Sequence, residues 1–354
     1  MILHVPDYYK DFKCKADKCR NTCCQNWEID IDENSLDIYK KAGGKFGDKI
    51  RNSIEYEETP HFKLDNNQKC PLLTENGLCS IYTELGEDKM CEICKLHPRF
   101  FEWFGNIKEG GIGLCCEEAA EIIINHKVEL TFEDIITDEK NEDEIDEVSL
   151  KMYNFLCSCR DILYSIIQDM NIRFEEKLSI ILDFADKLQD NIDSCNYEIP
   201  DIKKCRKNLK INLLHIMERF NEFDFLEEKN KKRFEDNVKK YYQYENASKK
   251  LFEIDSNTEK YLLNIVQYFI MRYFIKGAYS DEILSSARMA VTAAEYLQFE
   301  FTRIYTDDLK SCLNGCIDAV CSFSSEIEYS EENISAFADM VYDEYFYKSE
   351  QQRF

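Results

Sequence analysis

The chain has 354 residues, of which 44% are hydrophobic, which is enough material for two domains of ordinary size. Its 69 acidic and 45 basic residues give a formal net charge of −24, and this excludes the basic surface that nucleic-acid binding requires. The 11 glycines and 5 prolines are few, which favours a mainly α fold over a turn-rich β fold.

The N-terminus and the apolar segments predict a cytoplasmic protein. Residues 1–6 have no basic stretch and no long apolar run, so we expect no secretory signal. The longest apolar stretch, Tyr261 to Ile275, is interrupted by polar residues and is shorter than the roughly 20 residues of a membrane span. We therefore expect no membrane insertion. In a reducing compartment, clustered cysteines favour metal binding over disulfides.

Residues 1–135 are predicted to form a cysteine-rich metal-binding domain of loops and few short strands, because most of the prolines and glycines lie there. The alternation from Trp27 to Asp32 predicts a short strand or an extended segment, and Asn34 to Lys41 predicts a helix. The glycine-rich segment Gly110 to Gly113 is interpreted as a turn. Glu117 to Asn125 predicts another helix.

Residues 136–354 are predicted to form an all-helical domain that binds a substrate or partner. It opens with the acidic segment Asp138 to Glu147, which is interpreted as a solvated linker. Helical periodicity then continues to the end of the chain. The predicted helices are 148–170, 174–193, 202–221, 224–243, 257–276, 281–305, 307–325 and 331–347.

Ten of the 17 cysteines lie in the first 116 residues, and nine of these form tight groups that suit metal-ligating thiolates. The nine candidate ligands are Cys14, Cys19, Cys23, Cys24, Cys70, Cys79, Cys91, Cys94 and Cys116. One tetrahedral zinc or one four-iron cluster needs only four ligands, so either two sites exist or several thiols support the ligands. Adjacent thiols such as Cys23 and Cys24 can serve two sites. Spacing alone leaves structural zinc and an iron–sulfur cluster both open.

The remaining cysteines suggest no site. Cysteines in the helical half are scattered, and they are interpreted as small buried hydrophobic residues. They are Cys157, Cys159, Cys195, Cys205, Cys312, Cys316 and Cys321.

The ordered set of N-terminal motifs resembles the flagellin lysine N-methylase family and the broader group of zinc- or iron-chelating cysteine-cluster proteins. Three positions depart from the family pattern, namely His97 in place of a common tyrosine, Cys115 in place of serine and Glu117 in place of proline. The matching segments are Cys14–Trp27, Cys70–Leu73, Gly77–Ile81, Leu85–Glu87, Cys91–Cys94, His97–Arg99 and Cys116–Ala120.

This resemblance implies methyl transfer from S-adenosylmethionine to lysine side chains of flagellin or a similar protein, with an iron–sulfur cluster of the 4Fe-4S type in the cysteine domain. The sequence has no glycine-rich strand–turn–helix unit that would bind the methyl donor. His97 and Arg99 are interpreted as holding the cluster loop or bonding to sulfur, and Trp27 is interpreted as shielding the cluster from water. No catalytic base is assigned among the polar residues near the cysteines, which are Tyr82, His97, Arg99, Glu109 and Glu118.

Two other functions compete with a methyltransferase. The first is a zinc-binding structural or adaptor protein whose helical domain binds a partner protein. The second is an electron-transfer or cluster-carrier protein, which the large helical domain disfavours because a carrier does not need it. A bound iron–sulfur chromophore favours the methyltransferase, whereas zinc alone favours the adaptor.

Overall fold

The computed structural model describes residues 1–139, 145–248, 250–307 and 312–351, with side chains up to residue 343. The protein is mainly helical, as predicted. Its strands are β1 (Ile2–Pro6), β2 (Ile54–Glu55), β3 (His61–Phe62), β4 (Arg99–Phe104), β5 (Ile107–Ile112) and β6 (Phe132–Ile136). Its helices are α1 (Glu33–Lys41), α2 (Gly44–Asn52), α3 (Ser80–Leu85), α4 (Glu92–Leu96), α5 (Glu117–Asn125), α6 (Glu147–Gln168), α7 (Phe174–Asp193), α8 (Leu213–Arg219), α9 (Glu228–Ser248), α10 (Leu251–Ile254), α11 (Asn257–Tyr273), α12 (Gly277–Ser280), α13 (Leu284–Asp307), α14 (Cys312–Glu328) and α15 (Glu331–Gln351).

Four strands form one sheet in the order β4-β5-β1-β6. β1 pairs in parallel with β5 and antiparallel with β6, and β4 and β5 form an antiparallel hairpin. Because β1 opens the chain and β5 lies about 100 residues later, this pairing encloses the whole segment between them.

The segment between β1 and β4 contains a small lobe, which we name the cysteine lobe (residues 24–97). Its own hydrophobic core includes the buried side chains of Ile29, Tyr39, Ile50 and Phe62. α1 begins here because the Asp32 carboxylate accepts a hydrogen bond from the backbone N–H of Ser35 at 2.9 Å, as a helix-capping aspartate does.

The helical body is organised around α13, which is buried along nearly its whole length and packs against α7, α9, α11, α14 and α15. The sheet and α5 share this core, since Val5, Phe104 and Ala119 belong to the same buried cluster as the helices. The cysteine lobe and the helical body therefore have separate hydrophobic cores. The division into 1–135 and 136–354 stays a prediction. No described helix is long and apolar enough to cross a lipid bilayer.

Most of the predicted helices are present. The predictions 148–170, 174–193, 257–276 and 331–347 agree within a few residues with α6, α7, α11 and α15, and the predicted helices 34–41 and 117–125 agree with α1 and α5. The short strand or extended segment predicted over 27–32 is extended backbone with one isolated bridge. Residues 140–144 of the predicted linker and 308–311 of a predicted helix lie outside the described residues.

Two helix predictions begin too early. The prediction over 202–221 is wrong in its first half, which contains a single 3-10 turn before α8. α8 begins only after Asn212, whose side-chain oxygen caps the helix by accepting a hydrogen bond from the backbone N–H of His215. The prediction over 281–305 starts too early because Asp281 adopts a left-handed conformation with a φ of 57° and ends α12 instead.

The glycine-rich segment is a strand, and its interpretation as a turn is wrong. Gly110 and Gly111 lie within β5, where the hairpin comes close to α11. A Cβ at Gly111 would be 2.5 Å from Phe100 Cζ and 2.7 Å from Met271 Cε. Glycine is needed here for close packing, not for a reversal of the chain.

We expect Gly111→Ala to lower the free energy of unfolding by about 1–3 kcal/mol, because the added methyl group overpacks the contact between β4, β5 and α11. Urea denaturation measures this loss. Gly43→Ala is the matched control, since a Cβ there meets no heavy atom within 4 Å. Equal unfolding midpoints for the two variants would contradict the expectation.

Candidate metal centre and adjoining cleft

Five of the nine candidate cysteines lie in or against the core of the cysteine lobe, and we name them the lobe thiols: Cys24, Cys70, Cys79, Cys91 and Cys94. Local backbone structure places them. The Cys70 N–H donates to the Cys24 carbonyl at 2.9 Å. Cys79 and Cys91 directly precede α3 and α4, and their carbonyl groups accept the first hydrogen bonds of those helices.

The lobe thiols affect one another electrostatically. Burial raises the pKa of Cys70 to about 12, and the nearby Cys24, Cys79 and Cys91 add to this rise. A hydrogen bond donated by the Cys94 thiol lowers the pKa of Cys91. Several of the lobe thiols therefore resist ionisation, and a bound metal cation would favour their thiolate forms.

The other four candidates lie where the loop before the lobe meets α5 and α14, and we name them the interface thiols: Cys14, Cys19, Cys23 and Cys116. Glu117 anchors this loop, because its carboxylate accepts from the backbone N–H of Arg20 at 2.6 Å and from Lys15 Nζ at 3.2 Å. Asn21 Nδ2 donates to Asp318 on α14 at 3.2 Å. The loop is thus tied to the helical body at two points.

The interface thiols are also mutual neighbours. Burial raises the pKa of Cys19 to about 12, with Glu117, Cys116 and Cys14 as further causes. Burial likewise raises the pKa of Cys116 to about 12, and Cys14 contributes. The Cys23 thiol donates a hydrogen bond to Cys24, which raises the pKa of Cys23 and lowers that of Cys24. The adjacent pair therefore links the two groups.

The donor set fits a thiophilic metal. All 17 cysteines are free, so no disulfide competes for the thiols. Within the described residues, no three histidine, cysteine, aspartate or glutamate side chains converge on one ion-sized point. The two groups are therefore defined by shared burial and electrostatic proximity, and the ligand role of the nine cysteines stays a proposal.

Two cysteines outside the predicted set lie beside the interface thiols. Cys321 on α14 is buried, as predicted, but it also lies within electrostatic range of Cys115 and Cys116. Burial raises the pKa of Cys115 to about 11. The Cys115 sulfur accepts a hydrogen bond from the Tyr329 hydroxyl. No spacing pattern indicates Cys321, because the fold brings it from the helical half of the chain.

A cleft of about 540 Å³ opens between the cysteine lobe and the helical body. This volume is typical of a small-molecule site. Trp27 and His97 line it from the lobe, Tyr329 and Arg272 line it from the body, and Cys115 forms part of its wall. The cleft is therefore bordered by Cys115, the direct sequence neighbour of the interface thiol Cys116.

Three aromatic rings close one side of the cleft. Trp27 stacks on Tyr329 with ring centroids 5.2 Å apart, and His97 lies 6.0 Å from Trp27 and 6.2 Å from Tyr329. The Trp27 indole N–H donates to the Cys23 carbonyl at 2.7 Å, which joins this aromatic group to the Cys23–Cys24 pair. The aromatic wall and the thiols are thus positioned by the same backbone.

The cleft carries charges of both signs. Asp30, Asp32 and Glu92 line the lobe side. On the body side, the Arg272 guanidinium lies 4.3 Å from the Phe100 ring and 3.2 Å from the Glu328 carboxylate. Arg99 also lines the cleft. Because Arg272 is already paired with Glu328, the three acidic side chains outweigh the two arginines, and the cleft is suited to a cationic guest.

The predicted polar residues have different environments. Tyr82 is exposed, and Glu118 pairs with Lys15 at 3.3 Å. Glu109 lies away from the thiols in a buried ion pair with Arg160. Arg99 lines the cleft and stacks on Phe12, and His97 also lines it. The His97 Nε2 atom is buried and has no hydrogen-bond partner in the protein, so the predicted role of His97 at a cluster stays a prediction.

Two family models match the chain. Residues 160–350 match "FliB lysine N-methylase C-terminal domain", and residues 13–111 match "Putative zinc- or iron-chelating domain". The second match covers eight of the nine candidate cysteines and supports a metal cofactor.

Curated relatives agree with these matches. "Lysine-N-methylase" of Salmonella choleraesuis and of Salmonella typhimurium are each 23% identical over 193 residues, which are 51% of this chain and 46% of theirs. "Flagellar biosynthetic protein FliU" of Salmonella muenchen is 24% identical over 131 residues, 34% of this chain and 75% of that protein. The chain spans about half the length of the two lysine methylases. No solved structure matches the chain.

Proposed function

We propose, because this chain belongs to the family of the FliB lysine N-methylase C-terminal domain, that it transfers methyl groups to lysine side chains of another protein. The proposed donor is S-adenosylmethionine, and the proposed substrate is flagellin or a similar protein. The observation that carries the proposal is an acidic, aromatic cleft beside two groups of thiols.

The nine candidate cysteines are the proposed metal ligands. Four thiolates suffice for a 4Fe-4S cluster, and the interface thiols supply that number. The lobe thiols would hold a second metal site or support the first. Zinc is the alternative metal, since tetrahedral thiolate sites suit it equally well. A bound metal would keep these buried thiols ionised.

The chemistry requires a neutral lysine. Its nitrogen lone pair attacks the sulfonium methyl group, so a nitrogen–carbon bond forms as the carbon–sulfur bond breaks. The donor leaves as a neutral thioether, and a proton leaves the nitrogen. Dehydration and the positive charge of the sulfonium would lower the lysine pKa and favour the neutral amine, against the opposite effect of the acidic side chains. A cleft that aligns amine and methyl group would supply much of the rate.

The charges of the cleft suit both reactants. The lysine ammonium and the sulfonium are cations, and Asp30, Asp32 and Glu92 would attract either of them. We also propose that residues 1–135 carry the metal and that residues 136–354 bind the protein substrate. The cleft between lobe and helical body would then be where the two parts act together.

Protein purified without oxygen tests this proposal. We expect iron and acid-labile sulfide in the sample, together with transfer of a labelled methyl group from S-adenosylmethionine to lysines of purified flagellin. Zinc without sulfide, combined with no label on flagellin, would overturn the proposal. That outcome would favour a zinc-binding adaptor, a function that the match to a zinc- or iron-chelating domain also supports.

A further inference from the structure

We propose that His97 positions the substrate lysine in the cleft, its Nε2 atom accepting a hydrogen bond from the ε-amino group. This inference rests on the proposed function and deepens it, because it names the residue that orients the nucleophile. Three features support it: the unpartnered Nε2 atom of His97, the aromatic rings beside it and the acidic side chains of the cleft.

The orphan atom is His97 Nε2, which is buried and has no hydrogen-bond partner in the protein. Buried polar atoms are nearly always partnered, so an exception calls for a ligand or a water. His97 lines the cleft, and the backbone N–H of the same residue is already bonded to the Ile93 carbonyl at 3.0 Å. The backbone of His97 is therefore fixed at the end of α4, whereas Nε2 has no partner within the protein.

The ring is suited to accept a hydrogen bond. Burial lowers the pKa of His97 to about 4, so the imidazole is neutral at pH 7. A neutral imidazole has one protonated nitrogen and one lone pair. With the proton on Nδ1, the lone pair lies on Nε2. An amine N–H is the complementary donor.

The surroundings select a cationic guest with an aliphatic stem. The Trp27 and Tyr329 rings lie 6.0 and 6.2 Å from His97, so the three rings can contact a lysine side chain along its length. Aromatic faces attract ammonium groups. Asp30, Asp32 and Glu92 give this cleft a negative wall. Arg99 and Arg272 also line the cleft, but Arg272 is paired with Glu328, so the three carboxylates favour a cationic guest over an anionic one.

Tryptophan fluorescence tests the inference without methyl transfer. The chain has two tryptophans, so Trp103→Phe leaves Trp27 in the cleft as the reporter. We expect n-butylammonium, which mimics the lysine side chain, to change Trp27 emission with saturation, whereas n-pentanol has little effect. In this background His97→Phe keeps the ring but removes the acceptor, and it should weaken n-butylammonium binding about tenfold.

Two further variants separate positioning from folding. His97→Gln keeps an acceptor, so it should bind n-butylammonium more tightly than His97→Phe does. His215→Phe is the matched control on α8, outside the cleft, and should bind like the parent. Equal binding by the parent and His97→Phe overturns the inference, and so does an absence of n-butylammonium binding by the parent.

Enzyme kinetics distinguish this inference from the proposed function. An unaltered protein that methylates no lysine refutes the proposed function. If the unaltered protein is active, we expect His97→Phe to raise KM for the protein substrate and to lower kcat, with partial rescue by His97→Gln. An active protein whose kcat and KM are unchanged by His97→Phe refutes the role of His97 and leaves the methyltransferase standing.

Discussion

Replacing Cys91 with serine is expected to weaken binding of the metal that we propose for the lobe thiols and to unfold the cysteine lobe. Cys91 is buried in the lobe core and begins α4. A serine hydroxyl is a poor substitute for a thiolate ligand, and metal binding to such sites is coupled to folding. We expect the affinity for that metal to fall at least tenfold because a ligand is lost. The lobe should unfold because its own hydrophobic core is small.

Metal analysis of anaerobically purified protein and limited proteolysis measure this effect. The division into two groups predicts that Cys91→Ser and Cys19→Ser each remove a separate share of the metal, and that the double variant removes both. Cys195→Ser is the matched control, because Cys195 is exposed and lies outside both groups. Full metal content and protease resistance in Cys91→Ser would show that the lobe thiols are not ligands.

Arg160→Met is expected to lower the free energy of unfolding by about 3–5 kcal/mol, because it leaves the Glu109 carboxylate buried without its cation. Arg160 on α6 bonds Glu109 on β5 through two contacts of 3.0 and 3.1 Å. The two side chains are only 4% and 9% exposed. Tyr153 adds a 2.8 Å hydrogen bond to the same carboxylate. This pair ties the sheet to the helical body.

Urea denaturation checks the prediction against a control on the same helix. Lys151 pairs with Glu147 at 2.7 Å, but these side chains are 73% and 81% exposed, so Lys151→Met should cost no more than about 0.5 kcal/mol. Removing both charges with Arg160→Met and Glu109→Leu should recover part of the loss. A loss from Arg160→Met no larger than that from Lys151→Met would refute the account of this pair.

Local sequence signals predicted the helices that have a clear amphipathic pattern. The prediction over 174–193 coincides with α7, which places its apolar residues towards the core. Such signals fail where a boundary depends on one residue, as at Asn212 before α8 and Asp281 before α13. A single cap or left-handed residue stops a helix without changing the periodicity around it.

The sequence by itself determined the helical class, the acidic character and the clustering of nine cysteines, because these depend on composition and short spacings. Only the tertiary structure decided that β1 pairs with β5, that Gly111 lies in a strand against Met271, and that Tyr329 joins Trp27 and His97 in one cleft. These features join residues tens to hundreds of positions apart. Their energy comes from burial and pairing between distant segments, and no local pattern records which segments will meet.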